Sequence, residues 1–452
     1  MQSNPFQQRV ELMAEKWEEA KRHKSSRIVR LLCAQDELDM VDAFYTFMIG
    51  VDTPIFDIAF LFDSRCYDLR DYSFALVAEL QEIVDIWNRS VKDERIDDVP
   101  VHWQADFSLA KDENPAALFI DNFNKLANAL ALPDGLFVVA VLRGGVVDFE
   151  FTKWLSKTLE LPINAKVKIL IHDSIVDPAY EGIAIDFEGL ITSIPLYLDM
   201  PKAMEQAAAM GDPNDPGTQY RKAFVKMMNA MGAAKQQEAE TCGRACIDIA
   251  TSSITKDPYW VMQLVVVNIA LGNDKIRYKQ WHEALSYADE ALAAAQAAQQ
   301  YFANNMAGVL IAQAQMFRGS VYFLQKEWSS GWNDYSAAYE LFIREGNMPL
   351  AIESCRMAGQ CAFKEGLRNE GLSLLAKGVR LGFELSTEVA KGSTYAALLH
   401  LLLSSSYQQY ISLDEVDAIA GRIYGPNWLT AIRNYRQVPG PQPAAATEPV
   451  DT

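Results

Sequence analysis

Several things are scarce in this 452-residue chain, and each scarcity closes off a class of protein. No stretch reaches the roughly 18 consecutive apolar residues of a membrane span. The longest apolar runs, 260–271 and 395–403, have the length of buried core helices. The first 24 residues, MQSNPFQQRVELMAEKWEEAKRHK, have no apolar segment of the kind a secretory signal needs. Six cysteines, Cys33, Cys66, Cys242, Cys246, Cys355 and Cys361, are scattered and too few to staple a chain of this size. A protein of the reducing cytoplasm is the expectation. Cys242 and Cys246 share a helix face, but without a histidine close by in sequence they are expected as buried thiols and not as a metal or redox pair. Positive charge is also short. With a formal net charge of −18, most of it before Asp257, the first half is a poor partner for nucleic acid, whose phosphates are bound by Lys and Arg. A basic protein surface suits it better.

What is present divides the chain. Residues 6–24 pattern as one charged amphipathic helix with Phe6, Val10, Met13 and Trp17 on a common face. From Arg27 onward, short apolar runs at 28–33, 58–62, 136–142 and 167–171 alternate with helical stretches at 36–48, 72–88, 115–130 and 149–159. Apolar runs separated by helices are the pattern of a parallel sheet covered on both faces, so 27–200 is expected to be an α/β domain with a mostly parallel sheet. Breakers clustered at 199–217 predict an exposed loop, and helices over 218–251 connect to an all-α region. The segment 438–452, rich in proline and alanine without apolar periodicity, is expected to be a disordered tail.

The α/β layout raises the question of a phosphate site. A phosphate loop needs glycines and a lysine directly after the first strand. After Cys33 the chain instead reads Ala34, Gln35, Asp36, Glu37, Leu38, Asp39. Asp36 and Glu37 stand at the positive N-terminus of the next helix, where their carboxylates take the place of a phosphate. Gly144 and Gly145 beside Arg143 are expected as a turn before the next helix, with a small anion nest as the alternative. Lys391, Gly392 and Ser393 are expected as a helix-joining turn. Asp63 and Asp173 close two strands. In layout this half resembles a degenerate nucleotide hydrolase of the AAA and STAND type, in which such an aspartate orients magnesium. Without the loop, both are expected as caps of the following turns. No Gly-x-Ser-x-Gly elbow and no His-Glu-x-x-His helix occurs, and His23, His102, His172, His282 and His400 are far apart. His172, Asp173 and Ser174 are consecutive on a strand, so their side chains alternate between faces and form no relay.

The second half repeats a spacing. Gly319, Tyr322, Trp328, Gly331, Tyr335 and Ala338 recur as Gly359, Ala362, Arg368, Gly371, Leu375 and Gly378, with a weaker copy at Gly272, Lys275, Trp281, Ala284, Ala288 and Ala291. Small residues at these intervals let paired helices approach, and bulky ones fill the gap between pairs. Over roughly 258–437 the pattern resembles the tetratricopeptide (TPR) repeat, with copies about 40 to 47 residues apart where roughly 34 is usual. The resemblance implies stacked helical hairpins that bind proteins. By spacing it places Gln313, Met316, Phe323, Glu353, Arg356 and Phe363 on the groove, and Trp281, Trp328 and Tyr335 in the core. The resulting expectation is a non-catalytic adaptor or chaperone without cofactor or metal, holding a protein client. A subunit of a secretion or injection assembly and a STAND-type signalling NTPase are the alternatives.

Overall fold

The computed structural model describes residues 4–50, 53–96, 98–143, 149–302 and 306–433. The chain divides into two compact units, residues 1–207 and 208–452. The first is α/β with a parallel sheet and the second is all-α. Among the described residues no helix is long and apolar enough to cross a membrane.

In the first unit, helix α1 (Pro5–Ala20) precedes strands β1 (Ile28–Cys33) and β2 (Ile58–Phe62), with α2 (Leu38–Met48) between them. Then follow α3 (Leu69–Lys92), α4 (Ala117–Leu130), β3 (Val138–Leu142), α5 (Phe149–Leu159), β4 (Val167–Ser174), α6 (Glu181–Asp186), β5 (Ile191–Pro195) and α7 (Met200–Ala208). All strand pairs are parallel, in the order β2-β3-β4-β1-β5. Helices cover both faces of this sheet. Along β1, Ile28 joins a cluster with α3, α4 and α5, while Val29, Leu31 and Cys33 join one with α1 and α2. Every residue of β3 is buried, as a central strand between two helical layers requires.

Two elements depart from the expectation. β5 falls where no strand was expected: it is a short edge strand, mostly half-buried and ending in proline, so it has neither an apolar run nor a full alternation. The expected loop 199–217 contains α7, which forms because Met200 and Ala203 bury one face.

Helix α1 starts at Pro5, with the Asn4 side chain accepting from Phe6 N. Its apolar stripe seats Met13 and Trp17, both fully buried, on the α2 side of the sheet. A polar anchor fixes it. Trp17 Nε1 and Lys21 Nζ donate to Asp57 Oδ2 at 2.8 and 2.9 Å, and Asp57 Oδ1 accepts from Phe137 N at 2.8 Å.

The second unit runs through consecutive packed helices: α8 (Pro216–Gly232), α9 (Gln236–Ser253), α10 (Trp260–Arg277), α11 (Trp281–Ala297), α12 (Met306–Gln325), α13 (Trp328–Arg344), α14 (Met348–Glu365) and α15 (Arg368–Arg380). Four shorter helices follow, α16 (Thr387–Gly392), α17 (Tyr395–Leu403), α18 (Leu413–Tyr424) and α19 (Trp428–Arg433). One turn recurs in four hairpins. Ala234, Lys279, Lys326 and Gly366 each stand two residues before the second helix of their hairpin, with φ of 57°, 58°, 65° and 87°. The next residue donates back to the helix just ended: Lys235 N to Ala230 O, Gln280 N to Lys275 O, Glu327 N to Tyr322 O and Leu367 N to Ala362 O, at 2.8 to 3.0 Å. This is a Schellman closure, which satisfies the orphan carbonyls and turns the chain sharply.

The hairpin α8/α9 lies in the stretch expected only to connect. Met227 occupies the place that Gly272, Gly319 and Gly359 hold in the other three, which hides the repeat in sequence. Close approach is real where those glycines stand. A Cβ on Gly272 would lie 2.5 Å from the Phe317 ring, and one on Gly359 would lie 2.7 Å from Leu375. At Gly331 the nearest atom is Cys361 Sγ at 3.1 Å, and at Gly371 it is Ala362 Cβ at 2.9 Å. Tyr335 is buried, but Trp281 and Trp328, expected in the core, are half-buried, because each is the first residue of its helix and sits over the turn.

A left-handed backbone costs an L-residue about 1–2 kcal/mol, and glycine removes that cost at some entropic expense. Lys326→Gly is therefore expected to raise unfolding stability by about 0.5–1 kcal/mol, and Lys279→Gly by as much. Urea titration of single and double variants checks this. A loss of stability in both would mean that the turns are not closed as described.

Candidate functional site

In open parallel sheets, ligands sit outside the carboxyl ends of the strands. At that edge the turn after β1 is filled from within. Glu37 is buried, its Oε2 accepting from Ala34 N at 2.8 Å and its Oε1 from Leu198 N at 2.5 Å. The carboxylate thus holds backbone donors of the kind a phosphate would take, and ties the β1 turn to the segment after β5. Burial, followed by the charges of Glu37 and Asp173, pushes the neighbouring Cys33 thiol up to about 11.

The other acids of this edge are engaged separately. Asp173 is buried; its Oδ1 accepts from Ser174 N and Ala179 N at 2.8 and 2.9 Å, and its Oδ2 from Tyr180 N at 3.0 Å. It caps the turn 174–180. Its charge is balanced by Arg30 at 3.2 Å, whose guanidinium also reaches Glu181 at 2.6 Å and Ser193 Oγ at 3.0 Å. Asp63 is exposed and meets Arg143 at 3.4 Å. Arg143 in turn holds Asp42 through two bonds of 2.5 Å, which raise its already high pKa. Gly144 and Gly145 lie outside the described residues. Since β3 separates β2 from β4, Asp63 and Asp173 end strands roughly 10 Å apart. Among the described residues no group of three or more His, Cys, Asp or Glu could hold a metal.

His172 and Asp173 point to opposite faces. The imidazole Nδ1 lies 3.2 Å from Tyr45 Oη on the α2 side, and burial lowers its pKa. The carboxylate of Asp173 meets Arg30 on the other side. Ser174 Oγ accepts from Val176 N and Asp177 N, as a turn residue does. No nucleophilic relay is assembled. Lys391, Gly392 and Ser393 end α16, and Ser393 Oγ bonds to Ala390 O within the turn to α17.

The six residues expected to line a groove divide by environment. Gln313 on α12 is exposed. Met316, Phe323 and Phe363 are half-buried against the core of the array, Phe323 edge-on to Trp328 at 5.1 Å and Phe363 beneath the Arg368 guanidinium at 5.7 Å. Arg356, expected at a charged rim, is 8% exposed, and its guanidinium is bound by Glu353 on the same helix at 2.7 and 2.5 Å. Lys275, which fits the repeat poorly, is explained by a neighbour: its ammonium reaches back to Glu240 of the preceding hairpin at 2.6 Å.

Two arginines that hold buried carboxylates, Arg30 and Arg318, do not stand out in the sequence reading. Arg30 interrupts the apolar run of β1, and a charge in a strand covered on both faces must be paired. That was a usable signal. Arg318 sits on α12 and binds Asp334 and Asp289; nothing in the flanking sequence distinguishes it from a surface arginine. No protein-family model and no curated protein matches this chain.

Proposed function

We propose that this protein is a non-catalytic adaptor or chaperone that holds a protein client on its helical array, and that the array is TPR-like. The observation that carries the reading is the recurrence of one closure in four successive hairpins, at Ala234, Lys279, Lys326 and Gly366. Hairpins closed alike present similar faces to their neighbours, as the units of peptide-holding repeats do. In such arrays the first helix of each hairpin lines the groove, which places Gln313, Met316 and Phe323 on one helix and Phe363 on the next. Half-buried rings and a sulfur beside a long polar side chain suit an apolar anchor with a polar rim.

The α/β unit supports the non-catalytic part. With Glu37 in the β1 turn, a nucleotide phosphate would face a carboxylate already bonded to the backbone donors. Calorimetry with magnesium and ATP or GTP is expected to show no binding tighter than about 100 μM, roughly −5.5 kcal/mol. Tighter binding would move the reading to a STAND-type signalling NTPase. For the array, affinity capture from the native host followed by mass spectrometry compares the parent with the triple variant Gln313→Ala, Phe323→Ala, Phe363→Ala, with circular dichroism as the control for folding. Clients are expected to be lost from the folded variant. An unchanged set of captured proteins would remove the groove from the account.

A further inference from the structure

The first unit carries 35 acidic and 20 basic residues, and on α1 these charges are sorted by direction. The cations turn toward the protein. Arg9 Nε donates to Leu198 O at 3.0 Å, Lys16 Nζ to Pro195 O at 2.8 Å, and Lys21 is buried on Asp57 and Glu18. The glutamates Glu11, Glu15, Glu18 and Glu19 form the wall of a groove of about 700 Å³ whose floor includes Phe47 of α2 and Ile55. Glu15 and Glu19 make no ion pair among the described residues. Arg22 lines the groove at its far end. Next in chain to Ile55, Phe56 is 75% exposed, and Ile49, two residues past Phe47, is 45% exposed.

An apolar floor beside a carboxylate wall selects its occupant. From Glu11 to Glu19 the wall runs about 12 Å along α1, at roughly 1.5 Å per residue, which matches two to three turns of a second helix. A nucleic acid or an anionic membrane surface brings negative charge to the wall and is repelled. A second copy of this chain docking through the same face would set glutamate against glutamate. Residues 434–452 hold one arginine against Glu448 and Asp451, so that segment does not supply the counter-charge. We propose that the groove between α1 and the end of α2 docks a cationic amphipathic helix of a partner protein, its apolar face on Phe47 and Pro54 and its Lys or Arg residues on the glutamate wall. The helix-in-groove mode joins apolar anchors to a charged rim in this way. The inference does not rest on the groove of the helical array.

The test uses the full-length protein and a labelled 18-residue peptide with leucine on one helical face and lysine on the other, read by fluorescence anisotropy at 50 and 300 mM salt. Binding is expected at low salt and should weaken as salt is raised. Glu15→Lys with Glu19→Lys should weaken it at least tenfold and flatten the salt dependence. Phe47→Ser should weaken it severalfold at both salt concentrations. Glu15 and Glu19 are exposed, so the melting midpoint of that double variant should be that of the parent, and circular dichroism checks that the half-buried Phe47 variant is folded. Because any acidic protein attracts a polycation, the control reverses an acidic pair elsewhere in the unit, Glu82→Lys with Asp85→Lys on α3, and less than a twofold change is expected. No binding of the peptide, equal losses from the two reversals, or binding of a peptide whose leucines are serines as tightly as the original would each overturn the proposal.

Discussion

Replacing Asp57 by alanine is expected to cost about 3–5 kcal/mol, the range for removing one partner of a buried ion pair. The side chain is fully buried, and three donors converge on it: Lys21 Nζ, Trp17 Nε1 and the backbone N–H of Phe137. Alanine leaves the ammonium with Glu18 alone and strips the indole and Phe137 of their acceptor. A buried donor left without a partner costs more than the bond itself contributes. Asp57→Asn keeps shape and an acceptor, so its loss should be smaller. The damage should be local at first. Hydrogen exchange in residues 5–20 is expected to accelerate well before exchange in β3. A cost below about 0.5 kcal/mol, the scale of an ordinary surface substitution, would show that packing of Met13 and Trp17 alone holds the helix.

The second large effect belongs to the array. Arg318 on α12 presents two parallel bonds to Asp334 on α13, both 2.8 Å, and a third to Asp289 on α11 at 2.9 Å. Bonding to Asp334 raises the arginine's already high pKa. Asp334 is buried while Asp289 is exposed, so the two links are unequal. Arg318→Ala strands a buried carboxylate and should cost about 3 kcal/mol, the lower end for a broken buried pair, since the arginine retains some exposure. Asp289→Ala should cost at most about 1 kcal/mol, as exposed pairs do. Arg318→Lys should recover little, because an ammonium cannot reproduce the two-pronged geometry. Urea unfolding of the three variants ranks them, and equal losses from Arg318→Ala and Asp289→Ala would contradict this account.

How much was legible in sequence depended on whether the physics was local. β1, β2 and α5 occupy the residues expected of them: β2 is an unbroken apolar run, β1 is one broken only by Arg30, and α5 buries Phe151, Trp154, Leu155 and Leu159 at helical spacing. β5 was hidden by its edge position. The hairpin α8/α9 was hidden by Met227, since a repeat recognised through its glycines disappears when one is replaced. The recurrent turn was more deeply concealed. Lysine and alanine hold three of the four left-handed positions, and neither residue type signals such a backbone. At the candidate sites, Asp36 and Glu37 could both be read as acids opposing a phosphate, yet only Glu37 turns inward. Which of two adjacent carboxylates becomes the internal acceptor depends on Leu198, some 160 residues away in the chain. Arg356 is the reverse case: helical spacing placed it correctly on its helix, but its partner Glu353, three residues earlier, draws it into the interior.

The shared closure of the hairpins has a mechanical consequence. When the hairpins close alike and each helix leans mainly on its sequence neighbours, resistance to pulling is distributed in series, and the weakest contact between hairpins sets the yield point. Under the function proposed above, a client lying across two hairpins would add a parallel tie at one of those contacts and move the yield point elsewhere. Extension of the array would then proceed by steps of one hairpin, each releasing about 40 residues of chain and roughly 130–140 Å of contour, beginning at whichever contact the client leaves unbridged.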